Sequence, residues 1–283
     1  MKIKIIGNPG KQPVETLKVW LEESLKKFNL LYPEVWLIFI KNAKQIEKIS
    51  QKYEKGVKNL SQAEKSLIAK AKFAYLRKAI YIPEYSREKG IPPIILITRK
   101  EGEISEYDIL DETAHIAEDE HGWNKIKSEA FEILLRDYQG LWITPGEFFS
   151  FFPWLNMQFF DFFSNEMMCQ YGLITEVFRL REEKLNHWIK QYPLKKKVLK
   201  IEYFGTIMAV VFRTTLPPSY SQKEDEEKLE KIVIDHIRQM GMEELYREIK
   251  TIVSGLESPP KVANIYQCGA KIIELAQEFL EKQ

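Results

Sequence analysis

Cysteine is scarce in this chain, because only Cys169 and Cys268 among its 283 residues carry a thiol. The two lie far apart, each within a stretch of helical periodicity. A small disulfide-stabilised domain is therefore excluded, since such domains are rich in cysteine. One disulfide between them is one interpretation. We favour two reduced, buried thiols, which predict a cytoplasmic protein.

Long apolar runs are also absent. No stretch of about 18 uncharged apolar residues occurs, so we expect no membrane-spanning helix. The N-terminus reaches the turn-forming residues Gly7-Asn8-Pro9-Gly10 after one short segment, which is not the pattern of a secretory signal. We expect a soluble, intracellular protein.

Neither sign of charge dominates, because 42 basic residues balance 41 acidic ones. This balance gives no bias towards nucleic acid or an anionic membrane. Lys195-Lys196-Lys197 form a small basic cluster that we interpret as a solvated helix start, since no nucleic-acid-binding motif accompanies it. No nucleic-acid partner is expected. The many Lys and Glu residues interleaved with Ile are typical of a thermophile.

Several common catalytic signatures are missing as well. Gly10-Lys11 does not complete a phosphate-binding loop, and no G-x-S-x-G motif is present. No repeat of solenoid period and no low-complexity linker occurs. The chain is 45% hydrophobic, which is typical of a folded globular protein.

The first 120 residues or so alternate between strand and helix patterns, which predicts an α+β class with a small mixed sheet. Apolar runs rich in β-formers predict the strands, and residues recurring at helical period predict the helices. Strands are predicted over 2–6, 34–40, 79–82 and 94–98, and helices over 14–30, 41–59, 61–77 and 104–120.

The remainder of the chain lacks strand patterns, so we predict an α/β portion over 1–122 and a helical portion over 123–283. Helices are predicted over 124–138, 145–191, 194–214, 224–240, 242–254 and 260–281. The aromatic stretch 145–163 is interpreted as core. Its alternative is an exposed partner surface, through which the chain would form a homo-oligomer.

Potential metal ligands and acid/base groups are concentrated between Ile104 and Trp123. His115 and His121 lie here, surrounded by Asp108, Asp111, Glu112, Glu118, Asp119 and Glu120. At about 100° per residue, Asp111 and His115 fall about 40° apart on a helix, and Glu118 falls about 20° to the other side of Asp111. The three therefore share one stripe, opposite an apolar arc.

This segment, D-E-T-A-H-I-A-E-D-E-H, resembles the zinc-binding helix of zincin metallopeptidases, H-E-x-x-H, and its longer metzincin form, H-E-x-x-H-x-x-G-x-x-H. On that pattern Glu112 matches the general base, His115 the second ligand and His121 the third. Asp111 stands where the family has its first histidine, and Glu118 stands where the metzincins have glycine. The preceding order of strands and helices is also similar to the upper half of zincin catalytic domains.

The resemblance implies a metal-dependent hydrolase, in degenerate form, that acts on a peptide or protein. Asp111, His115 and His121 would bind a divalent metal, and Glu112 would act as the base. Zinc is the first choice, and the carboxylate ligand also suits manganese or iron(II). The alternative third ligands are Glu118, Glu129 and Glu132.

A second interpretation involves no chemistry. In it the chain is a non-enzymatic scaffold that binds partners through the aromatic surface at 145–163. The acidic stripe around His115 is then a solvated helix face, which is common in proteins rich in Lys and Glu.

Overall fold

The computed structural model of the chain describes residues 2–6, 13–40, 79–81, 92–98, 104–140, 145–191 and 200–282. The chain divides into two compact units, Met1–Glu120 and His121–Gln283. The expected boundary at Gly122 falls just beyond this division. The described residues form four strands and nine helices, so the predicted α+β class is confirmed.

The first unit contains every strand that the structure describes. Strands 2–6, 34–40 and 94–98 have the predicted bounds, and the third predicted strand is described over 79–81. The two described helices begin or end two or three residues inside their predicted ranges. The helices predicted over 41–59 and 61–77 lie outside the described residues. The elements are β1 (Lys2–Ile6), α1 (Val14–Lys27), β2 (Glu34–Ile40), β3 (Ala79–Tyr81), β4 (Ile94–Thr98) and α2 (Glu106–Glu120).

The four strands form one mixed sheet in the order β1-β2-β4-β3. β1 and β4 both pair with β2 in parallel, so that Trp36 lies between Lys4 and Ile94. β3 pairs with β4 in the antiparallel sense. Parallel neighbours need a crossover connection, and α1 provides it between β1 and β2.

Both α1 and α2 belong to the apolar core that covers one face of this sheet. Alternate residues of a strand point to the same face, so Val35, Leu37 and Phe39 all contribute to this core. From α2 it takes Ile109 and Ile116, which are two turns apart. The remaining buried members are Leu17, Leu21, Leu25, Ile95, Ile97 and Ile104. The core therefore fixes the rotation of α2 about its own axis.

The second unit is helical throughout the residues that the structure describes. Its apolar helix 200–214 packs against five other helices and forms the centre of the unit. The helices are α3 (Trp123–Tyr138), α4 (Pro145–Gln170), α5 (Ile174–Gln191), α6 (Lys200–Thr214), α7 (Glu224–Gln239), α8 (Glu243–Val253) and α9 (Val262–Lys282).

The continuous helix predicted over 145–191 is wrong in one respect, because the chain turns between α4 and α5. Gly172 adopts a left-handed conformation with φ of 78°. Its amide donates to the Cys169 carbonyl, and the Leu173 amide donates to the Met168 carbonyl. A glycine of this conformation ends a helix at low cost, and hydrophobic periodicity alone does not reveal it.

The aromatic stretch 145–163 is core, as predicted. Six of its phenylalanines form edge-to-face and tilted ring pairs with one another or with Phe131, Phe204 and Phe212: Phe148, Phe151, Phe152, Phe159, Phe162 and Phe163. The fully buried members are Phe148, Phe151, Phe159, Phe162 and Phe163. These residues do not form the exposed partner surface of the alternative interpretation.

Two buried polar side chains hold the loops of the helical unit. Arg181 donates to the backbone carbonyls of Phe212, Arg213 and Thr215 and thereby caps the C-terminal end of α6. Glu166 accepts hydrogen bonds from Ser219 and from Ser258, which lie in two different loops. Both ionisable groups therefore have structural partners.

The two cysteines are free thiols and both are buried, so the predicted reduced pair is confirmed. Burial raises the pKa of the Cys169 thiol to about 12, and does the same for Cys268. Among the described helices, none combines the length and the apolar character that a membrane span requires.

We predict that Gly205→Ala destabilises the helical unit although alanine is the better helix former by about 1 kcal/mol. A Cβ at position 205 would lie 2.3 Å from Cε3 of the Trp154 ring, which cannot fold out of the way. The net loss should be about 1–3 kcal/mol of unfolding free energy, measured by urea denaturation.

Gly269→Ala is the matched control. Its Cβ would meet Cδ1 of Leu134 at 2.5 Å, but that atom is the end of a flexible side chain. This variant should therefore lose less stability than Gly205→Ala. Equal losses would show that the rigid Trp154 ring is not the cause.

Candidate functional site

The helix that carries the candidate site begins with a capping box. The Asp108 amide donates to Ser105 Oγ at 3.2 Å, and the Ser105 amide donates to Asp108 Oδ2 at 2.8 Å. This reciprocal pair satisfies two of the amides that a helix start leaves unpaired. Asp108 is thus a structural carboxylate. The S-x-x-D spacing was readable in the sequence.

The polar stripe of α2 is buried, whereas the scaffold interpretation expects it in solvent. Asp111 is 8% exposed, Glu112 5%, His115 7% and Glu118 0%. The residues of α2 from Ile109 to Glu118 are buried on every side of the helix. A carboxylate or imidazole in such surroundings requires compensating hydrogen bonds, charges or a metal ion.

One compensating contact joins His115 to Glu118, one turn further along α2. Nδ1 of His115 lies 2.6 Å from Glu118 Oε2, which is hydrogen-bonding distance, and the pair is almost completely buried. Burial opposes a charged imidazole. The Glu118 carboxylate, with smaller contributions from Glu112 and Asp111, nevertheless raises the pKa of His115 above its ordinary value. The three carboxylates of the motif therefore all lie close enough to His115 to act on its charge.

The last turn of α2 carries negative charges at the helix end where the helix dipole is also negative. Glu118, Asp119 and Glu120 follow one another there, and no basic residue accompanies them. Each exposed carboxylate at a helix C-terminus costs about 0.3–1 kcal/mol. Tyr32 donates its hydroxyl to Glu120 and offsets part of this cost. Local helix stability therefore does not explain why carboxylates occur here.

His121 lies in the turn that follows α2. The helix continues through Glu120, so it does not end near Glu118 as a ligand role for His121 would require. The Nε2 atom of His121 is 3.2 Å from the Tyr171 hydroxyl, and its ring contacts Trp123 at 6.3 Å between centroids. His121 thus has its own partners within the helical unit.

The alternative third ligands differ in their surroundings. Glu118 uses Oε2 to hold His115. Glu129 and Glu132 lie on the exposed face of α3. Across the ranges that the structure describes, no three His, Cys, Asp or Glu side chains are grouped so that they hold a metal ion. Asp111 and His115 supply donor atoms of suitable chemistry on adjacent turns, while a third protein ligand is not identified there.

We predict that His115→Leu lowers the unfolding free energy by about 3 kcal/mol, because it removes the imidazole that compensates the buried Glu118 carboxylate. Urea denaturation of chelator-treated protein measures this loss.

His121→Leu is the matched control, since this histidine is exposed and makes one 3.2 Å polar contact. Its effect should stay within about 0.5 kcal/mol. If the two leucine variants are equally stable, the His115–Glu118 pair does not support the fold.

The comparisons with known proteins give no relative for this chain. No protein-family model matches it. Neither a curated protein nor a solved structure matches it significantly. The resemblance to zincins therefore rests on the motif segment and the order of elements before it.

Proposed function

We propose that the chain is a zincin-like, metal-dependent hydrolase with a degenerate motif, and that its site lies on α2. The observation that carries this proposal is the burial of Asp111, Glu112 and His115 around the His115–Glu118 pair. Buried ionisable groups that perturb one another are concentrated at functional sites, because catalysis needs them and stability does not.

The arrangement of the first unit is compatible with this proposal. Three parallel strands and an antiparallel edge strand precede the motif helix, and β4 is the last of them in the sequence. Ile109 and Ile116 hold α2 against the sheet and so fix its rotation about its own axis. The side chains on the opposite side of α2 therefore keep a constant orientation.

The residues have distinct roles in the proposed site. Asp111 and His115 would hold the metal ion, since residues i and i+4 of a helix lie side by side. The ion would supply Lewis acidity, with zinc as first choice and manganese or iron(II) as alternatives. Glu112 would take and return a proton as general base.

The substrate of such a site would be a peptide or protein. Amide hydrolysis requires a base beside the reacting carbonyl, and Glu112 provides one between the two ligands in sequence. The free, buried thiols agree with a reducing compartment, so we assign the activity to the cytoplasm.

The scaffold interpretation has less support, because the two sets of residues that it expects in solvent are largely buried. Its acidic stripe is buried, and so are five phenylalanines of its partner surface: Phe148, Phe151, Phe159, Phe162 and Phe163. We therefore propose no second function.

The first test is metal binding. Chelator-treated protein should take up one equivalent of Zn²⁺ or Co²⁺ and melt at a higher temperature, because ligation of the native state stabilises it. Asp111→Asn and His115→Gln should abolish the uptake, measured by calorimetry and thermal melting.

His187→Gln is the control for the loss of a histidine, since His187 is exposed on α5. It should bind metal as the unchanged protein does. If neither Zn²⁺ nor Co²⁺ raises the melting temperature, the proposed site does not bind a metal ion.

The second test is hydrolysis of a quenched fluorescent peptide library. Glu112→Gln keeps the shape of the side chain but cannot accept a proton, so the rate should fall about 100-fold or more while the metal is retained. Glu106→Gln, in the first turn of the same helix, is the control. Unchanged turnover in Glu112→Gln would show that Glu112 is not the base.

A further inference from the structure

Glu118 contacts the imidazole ring of His115 on its own helix. It is one turn beyond His115, has no exposed surface, and accepts the Nδ1–H of that ring at 2.6 Å. The contact lies within one helix, so it does not depend on the movement of any loop. In the zincin resemblance this position corresponds to the metzincin glycine, which has no side chain to offer.

This contact determines which ring nitrogen of His115 can bind another group. An ionised carboxylate only accepts hydrogen bonds, so Nδ1 must carry a proton. In the neutral imidazole the remaining nitrogen, Nε2, then holds the lone pair. A histidine in water favours the opposite tautomer, with the proton on Nε2. The Glu118 contact therefore selects the tautomer that presents Nε2 as a ligand.

We propose that Glu118 is a positioning residue rather than a third metal ligand. It fixes the ring orientation and the tautomer of His115, so that Nε2 points outward from the pair as the donor atom. This inference rests on the proposed function for its purpose, since the tautomer matters only if Nε2 binds a metal ion. Carboxylates that orient a ligating histidine typically contribute about 10- to 100-fold in metal affinity.

The first readout requires no metal. Nitrogen-15 correlation spectra of chelator-treated protein report the tautomer of each of the four histidines once its ring is neutral. They are therefore recorded at increasing pH until the signals of His115 stop shifting. His115→Gln identifies the signal of His115. We expect the Nδ1–H tautomer at His115 in the unchanged protein, and the Nε2–H tautomer in Glu118→Leu.

The second readout is Co²⁺ binding. Glu118→Leu should weaken the affinity about 10- to 100-fold. At saturating Co²⁺ its visible absorption spectrum should match that of the unchanged protein, because the ligand set is the same. Glu118→Gln keeps the size of the side chain and should also bind Co²⁺ more weakly, which covers the case in which the leucine variant does not fold.

Glu120→Gln is the matched control. It removes one negative charge from the same turn of α2 but leaves the His115–Glu118 contact intact. The tautomer of His115 should not change in this variant. Its Co²⁺ affinity should stay within about threefold, because an exposed charge is screened by solvent.

Each failure has its own signature. An Nε2–H tautomer at His115 in the unchanged protein, or an altered cobalt spectrum in Glu118→Leu, overturns the positioning role. Equal Co²⁺ affinity in the unchanged protein and Glu118→Leu overturns it too, and leaves the metal site standing. If His115 has the expected tautomer but the protein binds no Co²⁺, then Glu118 does position the ring of His115. The same result overturns the metal-dependent function.

Discussion

The hydrogen bond between His115 Nδ1 and Glu118 Oε2 is the contact that compensates for the burial of these two polar side chains on α2. Without it, a carboxylate with no exposed surface would lose its imidazole partner in a region that water does not reach. The Coulomb attraction of a pair at 2.6 Å is strong when the surroundings are apolar, and the desolvation of both groups opposes it. The pair therefore adds little net stability. Its presence is better explained by the orientation that it gives to the imidazole ring of His115.

The position of this pair follows from the packing of the first unit. Ile109 and Ile116 bind one side of α2 to the core of β2 and β4, and the capping box of Ser105 and Asp108 fixes where the helix begins. Both constraints act on the same rigid element. A helix anchored in this way presents its remaining side chains with little freedom, which a site that binds a small ion requires.

Much of the secondary structure could be predicted from local pattern. The strands 34–40 and 94–98 are short apolar runs of β-formers, and the long amphipathic helices repeat their apolar residues at helical period. The turn at Gly172 was not predicted, because a glycine in the left-handed conformation does not change the hydrophobic periodicity of the sequence. The capping box at Ser105 escaped for a different reason, since its spacing is common and gains meaning only when the helix start is known.

For the candidate site, the amino-acid sequence by itself determined the i, i+3 and i+4 spacing that brings Asp111, His115 and Glu118 onto one stripe, because helix geometry is local. Only the tertiary structure decided that this stripe is buried, since burial depends on residues distant in the chain. The Tyr171 partner of His121, which lies 50 residues further along the chain, was likewise a tertiary outcome. Two histidines six residues apart look equivalent as letters, yet one is held by a buried carboxylate and the other lies beside an exposed tyrosine hydroxyl.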